Sequence, residues 1–414
     1  CPVMIKEEER NWGPKPFKFI NAWLLHPNFI SAVKSSWEVQ VQQGWAGFRL
    51  LRKLASLKAR LRRWNVEVFG HVETDLKKAE EDLHALDLVA EERALTEAEA
   101  KSRRVNRGLV WNLHRRKESL WHQKSRMLWA KCGDKNTRFF HLMASSRQRR
   151  NLLDSVVVDG VRVVEPNPMK LAVHSHFLKL FSESWSSRPK LLGPFASISS
   201  TGQVESLEAD FSEQEIWAAV KDCDGNKAPG PDGFSLTCFQ KCWKIMKGEV
   251  LQFMDEFHSK GKIVSGLNSS FITLIPKRVD PCELSDFRPI SLVNSVYKIL
   301  AKVLSKRLKR VLTGIISEVQ TAFLGGRSIL DGVLIANEVV HWWKAAKMRG
   351  SILKLDIEKA YDSVNWEFLY SMMRNFGFGE IWLGWIKSCL SSSRVSVLVN
   401  GSPSTEFAPQ KGLR

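Results

Sequence analysis

Long apolar runs are missing from this sequence. No stretch approaches the ~18 apolar residues that a membrane-spanning helix needs, and the N-terminal CPVMIKEEER carries acids where a signal peptide has bases. Cysteine is sparse as well: the seven residues are odd in number and scattered, which excludes the dense disulfide framework of a small secreted domain. We therefore expect an intracellular protein with reduced thiols and no membrane partner.

A zinc site is also missing from the cysteine pattern. The closest pair, Cys238 and Cys242, has one-turn helical spacing, but no His or second Cys pair is placed to complete a tetrahedral site. We expect these two thiols to be buried packing residues.

Positive charge dominates what is present. The 414 residues hold 62 Lys and Arg against 44 Asp and Glu, a net charge of +18. An excess of this size favours a polyanionic partner, nucleic acid first and an acidic membrane surface second. The chain also exceeds the ~250 to 300 residues at which a single core stops growing, so two or more structural units are expected.

The charge is segregated along the chain. Residues 101–150 hold 15 bases and 2 acids (+13), whereas residues 71–100 hold 10 acids and 3 bases (−7). From Leu50 onward, apolar residues recur every three or four positions, which predicts a long helical region or a helical hairpin over residues 50–100. The recurring residues include Leu50, Leu54, Leu57, Leu61 and Trp64. The acidic stretch reads either as a solvated helix face or as a helix lying beside the basic one.

The basic segment 101–150 mixes charge with aromatic residues. Its bases alternate with Trp111, Trp121, Trp129, Phe139 and Phe140, a mixture suited to phosphate pairing and base stacking. The alternative is that the aromatic residues pack against other helices and the basic residues are exposed on the surface. Nucleic-acid contact and helix packing can both hold at once. The candidate nucleic-acid contacts are Arg115, Arg116, Lys124, Arg126, Arg138, Arg147, Arg149 and Arg150.

Downstream of the basic segment the pattern becomes more extended. LLDSVVVDGVRVVEP alternates like a hairpin around Asp159 and Gly160, and residues 182–204 are rich in Ser, Gly and Pro, as in a linker. The APGPDG stretch at 228–233 predicts a tight loop in which Asp232 caps or turns the backbone. FITLIPK at 271–277 predicts a buried strand ending in Lys277, and DFRPISL at 286–292 sets Arg288 in an extended context.

The stretch SILKLDIEKAYDSV at 351–364 predicts an apolar strand with Asp356 at its end and Tyr361 five residues later. Taken alone, Asp356 is equally a turn or helix cap.

These blocks, in this order, resemble the reverse transcriptase domain of LINE-type non-LTR retrotransposons, especially those of plants. The matching pieces are APGPDG, LIPK, DFRPISL with Lys298, ANEVVHWW, KLDIEKAYDSV and the final KGLR. The resemblance extends upstream. The segment between endonuclease and polymerase in this family is similar to WHQKSRMLWAKCGDKNTRFFH at 121–141. The end of that endonuclease is similar to GPKPFKFINAW at 13–23, and the strand after its SDH triplet matches the initial CPV.

The resemblance implies a site built from two groups of residues. Asp356 would be the first metal-binding carboxylate, with the backbone carbonyl of Ile357 as a further ligand, and Mg²⁺ in a two-ion site would be the cofactor. The amides of Lys359 and Ala360 would border the nucleotide triphosphate, and Tyr361 would be the steric gate against a 2′-hydroxyl.

The second group lies upstream. Lys277 and Arg288 match fingers residues that hold the triphosphate, and the guanidinium fork makes Arg288 the stronger assignment. Lys277 can alternatively be a surface lysine. The family also needs an aromatic-Ala-Asp-Asp box beyond the KGLR motif, and no such box occurs in this sequence.

The sequence thus predicts an α+β protein with a long helical N-terminal linker followed by the fingers and partial palm of a right-hand polymerase. The expected parts are residues 1–30, the tail of an endonuclease-like domain; 31–150, a helical basic linker; 151–204, a small β element and linker; and 205–414, a partial reverse transcriptase domain. Without the second acidic box, we expect an unpaired strand edge and partly uncovered side chains at Phe376, Phe378, Trp382 and Trp385.

The predicted function is RNA-directed DNA polymerase of a non-LTR retrotransposon, inactive as this chain, with an RNA template, a DNA primer and deoxynucleotides as partners. A nuclear stage follows from the resemblance alone. The alternative is a non-catalytic RNA-binding protein that acts through residues 101–150. A third reading is a protein interaction module whose acidic residues 71–100 bind a partner or fold back on the basic segment.

Overall fold

The computed structural model of the chain describes residues 10–39, 44–125, 137–158, 160–185, 189–191, 193–198, 201–357 and 359–413. The helices are α1 Phe29–Trp37, α2 Ala46–Trp64, α3 Val72–Glu92, α4 Glu97–Ser125, α5 Thr137–Arg150, α6 Pro166–Phe181, α7 Thr201–Glu208, α8 Glu213–Asp222, α9 Leu236–Lys241, α10 Trp243–Lys260, α11 Ser295–Ile315, α12 Ile329–Ala345, α13 Trp366–Asn375 and α14 Glu380–Ser391. The strands are β1 Val156–Val158, β2 Val161–Val163, β3 Ser269–Pro276, β4 Phe287–Val293, β5 Arg394–Val399 and β6 Ser402–Pro403. This mixture of helix and sheet confirms the α+β prediction.

Across the described ranges, no helix has both the length and the apolar character to cross a membrane.

The main sheet has the strand order β4-β3-β5-β6. β3 pairs antiparallel with β4 and parallel with β5, so that both of its edges are occupied. Alternate residues of β3 point to opposite faces, and Ile272 and Leu274 enter a hydrophobic cluster that also holds Val397 of β5 and Phe177 of α6. The predicted FITLIPK strand is therefore confirmed as the centre of the sheet.

A second, two-stranded sheet forms where the hairpin was expected. β1 and β2 are antiparallel, with Val158 opposite Val161. Gly160 takes a φ of +79° in the turn, a conformation that glycine adopts without steric cost. Asp159, the other expected turn residue, lies outside the described residues.

The predicted apolar stripe of the N-terminal region is buried along α2. Its five residues are each exposed by at most 3%: Leu50, Leu54, Leu57, Leu61 and Trp64. Helices α1 and α10 lie against this stripe, inside the larger of the two hydrophobic clusters. Burial of each leucine contributes about 1.5–3 kcal/mol, so the stripe fixes α2 to the rest of the protein.

The acidic and basic stretches form the paired helices α3 and α4. The guanidinium of Arg103 lies 2.6 Å from Oδ1 of Asp87, and Nε2 of His114 lies 3.1 Å from Oε1 of Glu80. The acidic stretch therefore folds back on the basic one within the chain, as one form of the third reading of the sequence predicts, and its acids contact two side chains of α4.

The APGPDG loop is held by two close backbone approaches. A Cβ on Gly230 would lie 2.4 Å from the carbonyl carbon of Val293, and one on Gly233 would lie 2.4 Å from the carbonyl oxygen of Phe17. Gly233 also has a φ of +82°. Both positions therefore require glycine, and the loop joins the N-terminal region to the start of α11.

Asp232 caps α11 from this loop. Its carboxylate accepts hydrogen bonds from the backbone N–H of Ser295 at 2.6 Å, from the hydroxyl of Ser295 at 2.5 Å and from the backbone N–H of Phe234 at 3.2 Å. Burial raises the pKa of Asp232, while these donors and Lys298 act in the opposite direction. The predicted capping or turning role of Asp232 is confirmed.

Arg307 of α11 ties the α7–α8 corner to the core. Its side chain is almost fully buried, and it donates to both carboxylate oxygens of Glu215 at 2.9 and 2.7 Å. The other N–H groups donate to the backbone carbonyls of Leu207, Ala209 and Asp210. All five donors of the guanidinium are thus used, which is the condition under which a buried charge is tolerated.

The expected exposure of the α13–α14 aromatics is wrong for three of the four residues. Phe378, Trp382 and Trp385 are buried, and only Phe376 is half-buried. The reason is packing against a segment distant in the chain: the ring of Trp385 lies 5.9 Å from that of Phe257 on α10. The apolar surface that stays uncovered lies elsewhere, as described below.

The expected packing of the two cysteines is confirmed. Cys238 and Cys242 lie in the core, exposed by 0% and 1%. Burial raises the pKa of the Cys238 thiol well above its ordinary value, in keeping with a packing residue.

Candidate nucleotide site

The two basic residues predicted from the fingers resemblance meet at one end of the β3–β4 hairpin. Arg288 lies opposite Ile275 in the ladder, and Lys277 follows Ile275 by two residues. Because side chains alternate along a strand, Lys277 and Arg288 lie on the same face of the sheet. The Nζ of Lys277 donates to the carbonyl of Ser285 at 2.8 Å, whereas the exposed guanidinium of Arg288 has no hydrogen-bond or ion-pair partner among the described residues.

A compact turn supports this end of the hairpin. Oδ2 of Asp286 accepts from the backbone N–H groups of Cys282 and Glu283 at 3.0 and 3.1 Å and from Arg278 at 2.6 Å. The Glu283 amide is the largest of several interactions that lower the pKa of Asp286. The turn therefore fixes the loop between β3 and β4, next to Lys277.

The predicted strand at 351–357 is not formed. These residues are irregular and exposed; Leu353, Leu355 and Ile357 are exposed by 80%, 77% and 74%. A strand needs a neighbour to pair its N–H and C=O groups, and residues 351–357 do not pair with any strand of the four-stranded sheet. The helix before this segment, α12, has no buried residue either, so the uncovered apolar surface is concentrated here.

Asp356 stands alone in this segment. It makes no hydrogen bond or ion pair with any residue that the structure describes. The described ranges also contain no group of three or more His, Cys, Asp or Glu side chains that could hold a metal ion. A two-ion Mg²⁺ site needs several oxygen ligands, including more than one carboxylate, so the residues present do not fit the expected site.

The turn after Asp356 is joined to the final motif of the chain. The backbone N–H of Leu413 donates to the carbonyl of Tyr361 at 2.9 Å, and that of Gly412 donates to Val364 at 2.8 Å. A Cβ on Gly412 would lie 2.8 Å from the carbonyl oxygen of Asp362, so this contact requires glycine. The structure therefore brings KLDIEKAYDSV and KGLR together, except that Glu358 and Arg414 lie outside the described residues.

The side chains of this turn differ in their surroundings. Tyr361 is 64% exposed, whereas Asp362 is buried. Lys359 adopts a φ of +55°, which is uncommon for a residue with a side chain and marks a tight turn. Ala360 is exposed beside it. Burial, followed by Lys359 and Lys179, lowers the pKa of His176, which places Lys359 near α6.

A side-chain network that the sequence did not indicate anchors this turn. The amide of Asn365 donates to Glu183 at 2.6 Å, and the backbone N–H of Glu183 donates to Oε1 of Gln410 at 2.9 Å. The indole N–H of Trp366 donates to the carbonyl of Gly412 at 2.8 Å. Glu183 comes from the predicted linker, and a pattern of Ser, Gly and Pro carries no signal for such a long-range contact.

A cavity of about 260 Å³ opens on the sheet face that carries Arg288. Its walls come from α2, the APGPDG loop, β3 and β5, and its polar lining includes Lys58, Asp232, Asn294 and Glu406. Burial lowers the pKa of Lys58, and Arg62 adds to this effect. This cavity could not be predicted from the sequence, because its walls come from segments that lie far apart along the chain.

The predicted nucleic-acid residues of 101–150 separate into two sets. Arg116 is half-buried, 5.8 Å from the ring of Phe69, and Arg147 donates to the carbonyl of Ser125, so both are engaged inside the protein. The remaining described candidates are exposed: Arg115, Lys124, Arg149 and Arg150. Arg126 and the side chain of Arg138 lie outside the described part of the chain.

Comparison with known proteins points in the same direction as these motifs. Residues 275–414 match the family described as reverse transcriptase (RNA-dependent DNA polymerase). The Transposon TX1 uncharacterized 149 kDa protein of Xenopus laevis is 27% identical over 292 residues, covering 68% of this chain and 22% of that protein.

Two further relatives are named as products of retrotransposable elements. The retrovirus-related Pol polyprotein from type-2 retrotransposable element R2DM of Drosophila melanogaster is 24% identical over 217 residues, covering 51% of this chain and 20% of its own length. That from type-1 retrotransposable element R1 of Bradysia coprophila is 27% identical over 190 residues, covering 41% and 18%. The chain spans about a fifth of the length of these relatives. The expected resemblance to non-LTR reverse transcriptases is confirmed at this level.

Proposed function

We propose that the chain carries the nucleotide-binding part of an RNA-directed DNA polymerase from a non-LTR retrotransposon, of plant type. The single observation that carries the proposal is the β3–β4 hairpin, which brings Lys277 and Arg288 to one end and one face of the sheet inside the matched segment. The exposed guanidinium fork of Arg288 suits the oxygens of a triphosphate. Lys277 adds a second positive charge beside it.

The turn joined to the KGLR motif would hold the other side of the nucleotide. The amides of Lys359 and Ala360 border the triphosphate in this proposal, and the exposed ring of Tyr361 acts as the gate against a 2′-hydroxyl. Its bonds to Leu413 and Gly412 support this assignment because they fix the turn. Template RNA and primer DNA are the proposed partners, and a nuclear stage belongs to the same proposal.

Polymerisation by this chain alone is not part of the proposal. Reverse transcriptases generally use divalent metal ions. Asp356 and the carbonyl of Ile357 are the proposed first ligands, but the described residues contain no group of three or more His, Cys, Asp or Glu side chains that could hold a metal ion. We infer that the chain comprises a helical linker, the fingers and the start of the palm of a right-hand polymerase, with residues 1–30 as the tail of an endonuclease-like domain.

Photocross-linking of labelled deoxynucleotides to the chain on a poly(rA)·oligo(dT) duplex tests the proposal. We expect dTTP to cross-link in preference to dGTP, because the template selects the nucleotide, and we expect Arg288→Ala to remove most of the signal. Arg310→Ala is the matched control, since Arg310 is exposed on α11 and away from the hairpin. Equal labelling by dTTP and dGTP would contradict the proposal.

Primer extension on the same duplex with Mg²⁺ tests the second part. We expect no incorporation by the wild-type chain. Incorporation that Asp356→Ala abolishes would contradict the proposed inactivity.

A second candidate function is RNA binding without catalysis. It is favoured by one observation, the exposed indole of Trp111 with the guanidinium of Arg115 at 4.7 Å on α4. Under this alternative the chain binds poly(rA) without any preference among deoxynucleotides, so the cross-linking experiment separates the two functions.

A further inference from the structure

The basic residues of α4 differ in whether an acid of α3 lies beside them. The guanidinium of Arg103 lies 2.6 Å from Asp87, and the ring of His114 lies 3.1 Å from Glu80. On the neighbouring part of the helix surface, Arg104, Arg107 and Arg115 are exposed and have no acidic partner among the described residues. Part of the positive charge of α4 is therefore not neutralised by α3.

Three of these arginines and one tryptophan lie on one stripe of the helix. Arg104, Arg107, Trp111 and Arg115 are spaced by three, four and four residues, which places them on the same face of a helix. All four are exposed, and the stripe extends over about 16 Å at 1.5 Å per residue. Glu118, one turn beyond Arg115, bounds it at its C-terminal end, and Glu97 bounds it two turns before Arg104.

Trp111 is unlike the other described tryptophan of this helix. Trp121 is half-buried, with Nζ of Lys124 at 4.5 Å from its ring and the ring of His141 at 4.7 Å, so its surface is already covered. Trp111 is 59% exposed, and the guanidinium of Arg115 lies 4.7 Å from the centre of its ring. An indole in this position leaves ring surface open for stacking, and the arginine beside it keeps N–H groups for a phosphate.

We propose that the α4 stripe of Arg104, Arg107, Trp111 and Arg115 binds single-stranded nucleic acid, with a base stacked on Trp111 and phosphates on the three arginines. The unstacked nucleobases of a single strand can reach an exposed indole, whereas the paired nucleobases inside a duplex cannot. The inference rests on the proposed function only in taking nucleic acid as the partner. It assigns Arg104 and Arg107 to binding and leaves Arg103, Arg116 and Arg147 as structural residues.

Fluorescence anisotropy with the full chain tests the stripe. The probes are a labelled 12-nucleotide oligo(U), the matching oligo(dT) and a 12-base-pair RNA duplex, titrated over a range of KCl concentrations. The relative affinity for oligo(U) and oligo(dT) shows whether the stripe prefers single-stranded RNA or single-stranded DNA. Either preference supports the proposal that the stripe binds a single strand. Tighter binding of the duplex than of both single strands would overturn the single-strand assignment.

Two sets of variants separate charge from stacking. Because each phosphate contact contributes about 0.7 to the salt slope for single strands, Arg104→Ala/Arg107→Ala/Arg115→Ala should reduce that slope by about 2. Trp111→Ala should weaken binding about tenfold, whereas Trp111→Phe should stay within about twofold because a ring remains. Circular dichroism should show folded proteins, since all four positions are exposed.

The matched control removes the same charge elsewhere. The variant Lys244→Ala/Lys309→Ala/Arg310→Ala also removes three exposed basic side chains, on α10 and α11. It should leave the oligo(U) affinity within about twofold of the wild-type value. If the control variant and the triple arginine variant of the stripe lose the same oligo(U) affinity, the proposal is overturned. It is also overturned if the triple arginine variant and Trp111→Ala both bind oligo(U) as tightly as the wild-type chain. If Arg288→Ala leaves stripe-dependent binding intact while nucleotide cross-linking shows no template preference, the polymerase function fails and the stripe stands.

Discussion

The β3–β4 hairpin and the segment 351–361 carry the two halves of the proposed nucleotide site, and they are built to different degrees. The hairpin has a full ladder, a buried face and an ordered turn at Asp286. The segment around Asp356 is equally apolar in sequence, yet Leu355 is 77% exposed and no strand forms. The difference shows that apolar residues make a strand only where a neighbour completes the backbone hydrogen bonds.

This contrast also separates two kinds of chemistry. Arg288 and Lys277 need only a rigid edge to present positive charge, and the hairpin supplies it. Asp356 needs other carboxylates around it to hold a metal ion, and the described residues supply none in a group. The half of the proposed site on the β3–β4 hairpin is therefore positioned. In the half around Asp356 the turn is fixed, but the metal ligands are not assembled.

The largest expected effect comes from the packed body behind the hairpin. Arg307→Ala should lower the free energy of unfolding by about 3–5 kcal/mol, because it leaves the half-buried carboxylate of Glu215 without its partner and three carbonyls without donors. Urea unfolding followed by circular dichroism measures this change. Arg310→Ala, an exposed base on the same helix, should cost less than about 0.5 kcal/mol. A similar loss in both variants would mean that Arg307 is not the anchor described.

A matched pair of isoleucines tests the comparison directly. Ile272→Ala in β3 should cost about 2–5 kcal/mol, because its side chain is 0% exposed and its removal leaves a cavity. Ile352→Ala, at 65% exposure in the unformed strand, should change stability by less than about 0.5 kcal/mol. Equal costs would show that 351–357 is packed in solution.

Asp232 tests whether the loop before the sheet is needed for the start of α11. Asp232→Ala should cost about 1–3 kcal/mol, because the Ser295 and Phe234 donors lose their buried acceptor. Thermal unfolding measures the loss, and Asp224→Ala, in an exposed turn, is the control. An unchanged melting temperature in Asp232→Ala would remove the capping role.

The smallest expected effect concerns the turn beside Lys277. Because its hydrogen bonds lower the pKa of Asp286, the stability from this carboxylate is present above its unfolded pKa of about 3.9 and is lost as pH falls through the folded pKa. Arg278→Ala should raise that pKa toward its ordinary value, but not fully, since the Glu283 and Cys282 amides remain. Carboxyl NMR titration measures the shift. No shift would mean that Arg278 does not bind Asp286 in solution.

Much of the hairpin could be predicted from sequence because its information is local. FITLIPK is a short apolar run typical of a buried strand, and DFRPISL places Arg288 before a proline, which favours extended backbone, so Lys277 and Arg288 are predicted near strand ends. The α2 stripe was readable for the same reason, since Leu50 to Trp64 follow one helical period.

The remaining features depend on contacts between distant residues. The apolar pattern of SILKLDI predicts a strand. It does not show which strand pairs with β3, and in the structure β5 lies at that position. The bond from Asn365 to Glu183 and the burial of Trp382 and Trp385 depend on how separate segments pack, which no local pattern encodes. Arg115 and Arg116 are neighbours in sequence, and only the helix orientation shows that Arg116 faces the protein.

Hydrogen exchange read by mass spectrometry tests the central contrast most directly, because it follows both segments in one sample. We predict that the amides of β3, residues 269–276, exchange only through global unfolding, whereas those of 351–357 exchange within seconds, since they lack ladder partners. Strong protection at 351–357 in the isolated chain would contradict the account, because it would show that the segment bearing Asp356 is already paired.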